Sequence, residues 1–271
     1  MIKRIKRSAA QLLEKHPAGY AAGVFLLDHC DFLLPHEAEY WGFPALIRRG
    51  WGRYRRILDL GANRGHSARA FLKMMPGWEV VSIEANPVHR ASLERVKKRH
   101  RDRFDFQLCA AGEESGGELA IHTPFYGPFA LHSATATTAA EAARAVAEAY
   151  PRLAGRFRLS SSTVPVRAID DLGLRVDFVK IDIQGDELKA LRGMRRTLEG
   201  DRPILLAEVN NVRDPVARFL EELDYRPWHF SVESGEFEPG FETYDAHKRN
   251  AFFIPDRHLG ALGLEGRRDV R

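Results

Sequence analysis

The residues best placed to do chemistry sit in ILDLGANRG, Ile57 to Gly65, and at Glu84, which closes the next apolar run, VVSIEANP. Ile57 and Leu58 lead into Asp59-Leu60-Gly61-Ala62-Asn63-Arg64-Gly65, and a helix-forming segment from His66 follows at once. That order reads as strand, tight turn, helix. A glycine turn after a strand lets the backbone approach a ligand closely, because glycine has no Cβ and tolerates positive φ. Glu84 falls about 20 residues further on, at the end of a second strand, where a carboxylate can accept hydrogen bonds from ribose hydroxyls. Together they describe a nucleoside-binding crevice.

What the turn lacks narrows the nucleoside. A dinucleotide fingerprint wants G-x-G-x-x-G, whereas Asp59 to Gly65 reads D-x-G-x-x-x-G. This spacing resembles motif I of the class I S-adenosylmethionine-dependent methyltransferases. The resemblance implies that Asp59, Gly61, Asn63 and Gly65 hold the methionine end of S-adenosyl-L-methionine. Glu84 would hold the ribose, with Asn86 beside it.

A third stretch, VDFVKIDIQGDELKALRGM, runs from Val176 to Met194. Val176, Phe178 and Lys180 alternate on one strand face, and Asp182 follows in register at the carboxyl end, where open parallel sheets bind ligands. Lys180-Ile181-Asp182-Ile183-Gln184-Gly185-Asp186-Glu187 is similar to the hallmark of the FkbM-type methyltransferases, roughly K-[IV]-D-[IV]-E-G-x-E. IEANP (Ile83 to Pro87), CAAG (Cys109 to Gly112), Ser133 and V-x-A-I-D-D-L (Val166 to Leu172) extend the likeness over about residues 55 to 255. Gln184 departs from it, standing where the family usually has Glu. The resemblance implies methyl transfer to a hydroxyl of a sugar, glycolipid or natural-product acceptor. Asp182 would be the general base or orienting acceptor, and Glu208 would emerge beside it from the neighbouring strand. Glu208 is thus a second candidate catalytic residue, and Asp182 and Glu208 with Asn210 or Asn211 could hold Mg²⁺, but loop ordering is the better reading of Glu208, and no metal is expected. His132, His229 and His247 are alternative bases.

The elements that must position these groups follow from the alternation of strand and helix after Arg55. Strands are expected near 56–60, 79–84, 104–109, 176–182, 203–208, 225–230 and 251–255, with helices near 66–75, 87–100, 186–198 and 214–222. The expected fold is α/β and Rossmann-like, of the class I methyltransferase type. It has a seven-stranded, mostly parallel sheet with helices on both faces, whose last two strands form an antiparallel hairpin. Residues 1–50 read as an N-terminal helical extension and 51–271 as the methyltransferase domain. Between the third and fourth strands lies an insertion. It comprises a turn at Ala110 to Gly117, a strand at Glu118 to His122, a Pro/Gly/aromatic loop at Pro124 to Phe129, an alanine-rich helix near 139–150 and a strand at Ser162 to Val166. The insertion is the expected site of substrate contacts, and its helix reads as scaffold.

The 271 residues, 44% hydrophobic and 29% charged, are long enough for one large domain with an appendage. Cys30 and Cys109 are too few and too far apart for a disulfide framework, which fits a reducing compartment such as the cytoplasm. The formal charge of +4 reflects local basic clusters, of which Ile47 to Arg56 and Arg95 to Arg101 are the densest. An RNA-modifying methyltransferase would use such clusters. Against it, the end of the fourth strand lacks [DNS]-P-P-[YF] and carries no catalytic cysteine, so a small-molecule or glycan acceptor is the preferred partner. A nicotinamide oxidoreductase or a non-catalytic cofactor-binding protein is the third reading. No stretch is long enough to span a bilayer, although the basic, amphipathic start (Ile2, Ile5, Ala9, Leu12, Leu13) could lie on a membrane surface.

Overall fold

The computed structural model describes residues 37–183, 185–209, 215–240 and 249–265. The expected amphipathic start, Cys30, Gln184, Asn210, Asn211 and His247 lie outside them. The chain runs through helix α1 (Gly42–Arg48), strand β1 (Arg56–Leu60), α2 (His66–Met74), β2 (Glu79–Glu84), α3 (Arg90–His100) and β3 (Phe104–Leu108). The insertion follows as β4 (Ala110–Gly112), β5 (Glu118–Tyr126), β6 (Phe129–Ala130), α4 (Ala139–Ala149) and β7 (Arg158–Ala168). The winding resumes with β8 (Phe178–Ile181), α5 (Glu187–Arg192), α6 (Arg195–Gly200), β9 (Ile204–Val209), α7 (Pro215–Glu221), β10 (Tyr225–Ser231), β11 (Glu236–Pro239) and β12 (Arg249–Pro255).

The seven expected strands all form, but the single seven-stranded, mostly parallel sheet does not. The strands belong to an eight-stranded mixed sheet of order β11-β10-β12-β9-β8-β1-β2-β3, and a separate four-stranded sheet has the order β4-β7-β5-β6. In the large sheet four pairings are parallel and three antiparallel. The extra strand arises because the chain turns at Ser231–Gly235 and lays Glu236–Pro239 along β10. The antiparallel hairpin is thus β10–β11, and β12 inserts between β10 and β9. The small sheet arises because β5 and β7 pair over eight residues, Glu118 to Phe125 against Pro165 to Arg158, and β4 joins β7 in parallel. Ala110-Ala111-Gly112, expected as a turn, is therefore strand. Most of the expected loop at Pro124–Phe129 is the end of β5 and its tight turn into β6.

β1 and β8 lie in the middle of the large sheet and are buried on both faces, so they are apolar on both sides except at Asp59 and Lys180. On one face Phe43 of α1 sits edge-on to Phe71, Phe178 and Phe252, with ring centroids 5.2, 4.9 and 5.2 Å away. Part of the expected N-terminal extension is therefore core. On the other face Leu58, Leu60, Val179 and Ile181 meet Leu191, Met194, Leu198 and Leu220. The single helix expected at 186–198 is two short ones. Gly193 lies so close to the Gly112 carbonyl that a Cβ would come within 1.9 Å of it, so the chain breaks there to seat against β4.

Some members of the basic clusters are tied into the fold. Arg49 reaches Glu236 at 2.6 Å and the Leu262 carbonyl at 3.0 Å. Arg56 grips Glu79 through two nitrogens, and Lys97 pairs with Asp105 at 2.6 Å. Among the described residues no helix is long and apolar enough to cross a membrane.

Candidate active site

The carboxyl edge of the parallel strands carries the site. Gly61, at φ +81°, leaves β1 so close to β8 that a Cβ would lie 1.9 Å from the Asp182 carbonyl oxygen, which restricts the position to glycine. Its amide and that of Ala62 donate to the Ile83 carbonyl, binding the turn to β2. Asn63 also takes a positive φ, +51°, which aims its amide at Glu84. Gly65, at φ +81°, faces away, and a Cβ there would press on Val96 and Leu93 of α3. Gly61 and Asn63 thus line the cavity, while Gly65 sets how α2 leaves the turn and packs on α3.

Glu84 ends β2, buried. One carboxylate oxygen accepts the Asn63 amide at 2.6 Å and the other the Asn86 amide at 2.7 Å. Burial drives its pKa up, tempered by these two amides. Each oxygen keeps a further lone pair for a hydroxyl from the cavity. Asn86 uses its side chain to fasten the insertion. Its Nδ2 donates to Thr123 Oγ1 of β5 at 2.9 Å and to Thr135 Oγ1 at 3.4 Å, and its Oδ1 accepts the Val88 amide.

Asp59 lies beneath the turn, not at its mouth. It is fully buried, and one carboxylate oxygen accepts Ser67 at 2.7 Å and Ser82 at 3.1 Å. Its other oxygen faces the Lys180 ammonium at 3.5 Å. Lys180 Nζ also donates to the Gly61 carbonyl at 3.1 Å and stands 3.7 Å from the half-exposed Asp182 carboxylate. Burial alone would push the pKa of Lys180 down, but Asp59, Asp182 and Glu37 outweigh it and hold the pKa above the usual lysine value. The loop beyond Asp182 is gathered by Glu187, whose carboxylate accepts the amides of Ile183 and Gly185.

Gly61, Asn63, Glu84, Asn86 and Asp182 open on one cavity of about 640 Å³, floored by Ile83, Cys109 and Ala110. Residues 59–249 match the family model described as the methyltransferase FkbM domain. The chain belongs to the FkbM methyltransferase family. S-adenosyl-L-methionine is the cofactor of that family, and the donor set fits it: a buried carboxylate with spare lone pairs, an apolar floor, and acidic groups for a cationic sulfonium. Among solved structures, the chain is similar to an FkbM methyltransferase from Methylobacillus flagellatus KT, at 21% identity, TM-score 0.47, over 91% of this chain and 58% of that one. It is also similar to a precorrin-6y C5,15-methyltransferase from Geobacter metallireducens GS-15, at 12% identity, TM-score 0.41, over 79% and 87%. A putative O-methyltransferase from Klebsiella pneumoniae matches at 13% identity, TM-score 0.38, over 87% and 96%. Among curated proteins none matches the sequence.

The FkbM domain roofs this cavity with its insertion. Helix α4 buries Ala142 and Val146 and turns Glu141, Arg144, Ala145 and Glu148 to the cavity. The sequence reading took this helix for scaffold because alanine dominates it, yet the polar residues recur at i, i+3 and i+7, one face of a helix. Two further residues it missed are His89, after β2, and Thr135. The ring of His89 lies 4.6 Å from that of His132, and burial, with His132, Arg64 and His66 nearby, pushes its pKa down to about 3. Glu208 is held in β9 opposite Asn250, and its side chain is outside the described residues. His229 belongs to β10, three strands from β8, and is not brought to the cavity. Among the described residues no three His, Cys, Asp or Glu side chains converge as metal ligands would.

Two outcomes follow from this arrangement. Lys180→Met strands the buried Asp59 carboxylate and is expected to lower stability by about 3–5 kcal/mol in urea unfolding; a loss below about 1 kcal/mol would contradict the pairing. His89 is kept neutral by the fold, so the unfolded chain binds one more proton between pH 6.5 and about 3. Its contribution is full above pH 6.5 and lost as pH falls through that window, by up to about 1.4 kcal/mol per pH unit. His89→Gln should flatten the acid limb of the stability profile by that share, and an unchanged slope would refute it.

Proposed function

We propose that this chain transfers the methyl group of S-adenosyl-L-methionine to a hydroxyl oxygen of a sugar, glycolipid or related natural product. The observation that carries the reading is that Gly61, Asn63, Glu84 and Asp182, drawn from three strand ends, open on one cavity. When bound, the cofactor supplies an electrophilic methyl carbon on a sulfonium. Glu84 accepts the ribose hydroxyls, and Ile83, Ala110, Leu119 and Ile121 give the adenine an apolar surface. Asp182, half exposed at the cavity mouth, accepts the hydroxyl proton or orients the hydroxyl for in-line attack. Lys180 holds that carboxylate from behind, and Glu187 keeps its loop in place. The chain spans 58% of the length of the Methylobacillus structure, so the acceptor is assigned by class alone. Against a nucleic-acid acceptor, Arg49 and Arg56 of the first basic cluster are engaged by Glu236 and Glu79 within the fold.

Equilibrium binding should favour S-adenosylhomocysteine over NAD, and the reverse preference would sink the reading. Glu84→Ala is expected to weaken S-adenosylhomocysteine binding by about 1–3 kcal/mol; equal affinity would remove the ribose role. In a labelled-methyl screen over glycans and glycolipids, Asp182→Asn should cut turnover by about 10²–10⁴-fold with little change in cofactor affinity. Parallel losses of both would mark Asp182 as structural.

A further inference from the structure

We infer that the charged face of helix α4, Glu141, Arg144 and Glu148, reads the acceptor together with the His89 ring, and that it selects a polyhydroxylated molecule carrying no acidic group. The inference rests on the methyl-transfer reading above and narrows its acceptor class.

Helix α4 places its charges where solubility alone would not put them. Its sequence, AAEAARAVAEA, holds three charged residues, one valine and seven alanines. Ala142 and Val146 pack inward, while Ala139, Ala140, Ala143, Ala147 and Ala149 are exposed. All three charged residues line the cavity. A helix carrying charge only to meet water would set it on the outward face, which here is alanine. Nor do the three serve one another. Glu141 and Arg144 stand three residues apart and Arg144 and Glu148 four, the spacings of ion pairs within a helix, yet no such pair forms. Glu141 accepts one long hydrogen bond, from Thr137 Oγ1 at 3.5 Å. The side chains of Arg144 and Glu148 have no partner among the described residues.

His89 is an independent sign of a ligand. It is 4% exposed and lines the same cavity, and its ring nitrogens make no hydrogen bond among the described residues. A buried polar group left unpaired costs free energy, so a molecule entering the cavity accounts for its place. Burial keeps the ring neutral, and it therefore offers one donor and one acceptor. A hydroxyl, itself both donor and acceptor, matches either nitrogen.

The other charged groups of the cavity are engaged. Glu84 is oriented by two amides and assigned to the ribose, Asp182 faces Lys180, and Asp186 pairs with Lys189 at 2.7 Å. Two carboxylates and one guanidinium remain on α4, strung along about 10 Å of wall at the helical rise. Carboxylates accept from hydroxyls and a guanidinium donates to them, so a row of hydroxyls is satisfied along the helix. The surplus of one negative charge repels a carboxylate or phosphate. Asp182 opens on the same cavity, which keeps a molecule held by α4 in one space with the group assigned to its proton.

The test is saturation-transfer NMR of methyl glucoside and methyl glucuronide over protein saturated with S-adenosylhomocysteine. Methyl glucoside should receive saturation, and methyl glucuronide at least about fivefold less. Replacing both acids, Glu141→Gln with Glu148→Gln, should narrow that difference to less than about twofold. Arg144→Gln and His89→Leu should each lower the methyl glucoside signal by about threefold or more, whereas His89→Gln, which keeps a donor and an acceptor, should retain most of it. Glu118→Gln, exposed at the start of β5 and not a cavity residue, should leave the signals unchanged. S-adenosylhomocysteine affinity should be the same in every α4 variant. Equal signals from the two glycosides in the native protein, or none from either, overturn the inference. So does a loss of S-adenosylhomocysteine affinity in Arg144→Gln at unchanged melting temperature, because α4 would then serve the cofactor. Failure of S-adenosylhomocysteine to bind the native protein would instead bring down the methyl-transfer reading beneath it.

Discussion

The Lys180 ammonium is the point on which the cofactor edge of the sheet depends. It sits in the interior with a backbone carbonyl from the β1 turn on one side, the Asp59 carboxylate on another, and Asp182 toward the cavity. Asp59 is the register partner of both Lys180 and Ser82, so three adjacent strands present one polar row across an otherwise apolar sheet. Such a row adds little net stability compared with well-packed hydrocarbon, because desolvating the charges offsets their attraction. Its effect is positional. The ammonium fixes the Gly61 carbonyl against β8, and the missing Cβ of Gly61 lets the two strand ends touch.

From that contact the rest of the site is built outward. The turn presents the Asn63 amide, that amide orients Glu84, and Glu84 in turn receives the Asn86 amide. Each link is a short hydrogen bond to a buried or half-buried group, where an unmade partner is costly, so the geometry is set before any ligand arrives. Asp182 is different in kind. It is half exposed, and its position is imposed by Lys180 behind and by the Glu187-gathered loop ahead.

Much of this was legible in the sequence, and what was not has identifiable causes. The seven strands, the turn, Glu84 and Asp182 follow from periodicity and spacing, which are local. The resemblance implies a cofactor role for Asp59; the register, which sequence does not display, sets it facing Ser82 and Lys180 indoors. The second sheet escaped because its pairings are distant. Ala110-Ala111-Gly112 looks like a turn until Val166 to Ala168, more than 50 residues on, lies beside it. Composition hid the role of α4, since its helix propensity is evident and its polar face is sparse. Gly193 ended a helix early for a reason invisible nearby, the carbonyl of Gly112.

The side-chain amide of Asn86 joins the inserted sheet to the strand that bears Glu84, through Thr123 and Thr135. A roof anchored so near Glu84 separates two freedoms. Its outward residues can be exchanged while the strand end and the turn beneath it, which Asn86 and Asn63 hold to Glu84, stay fixed. Variation above a constant cavity floor is then a property of where the rivet lies, and not of any single residue.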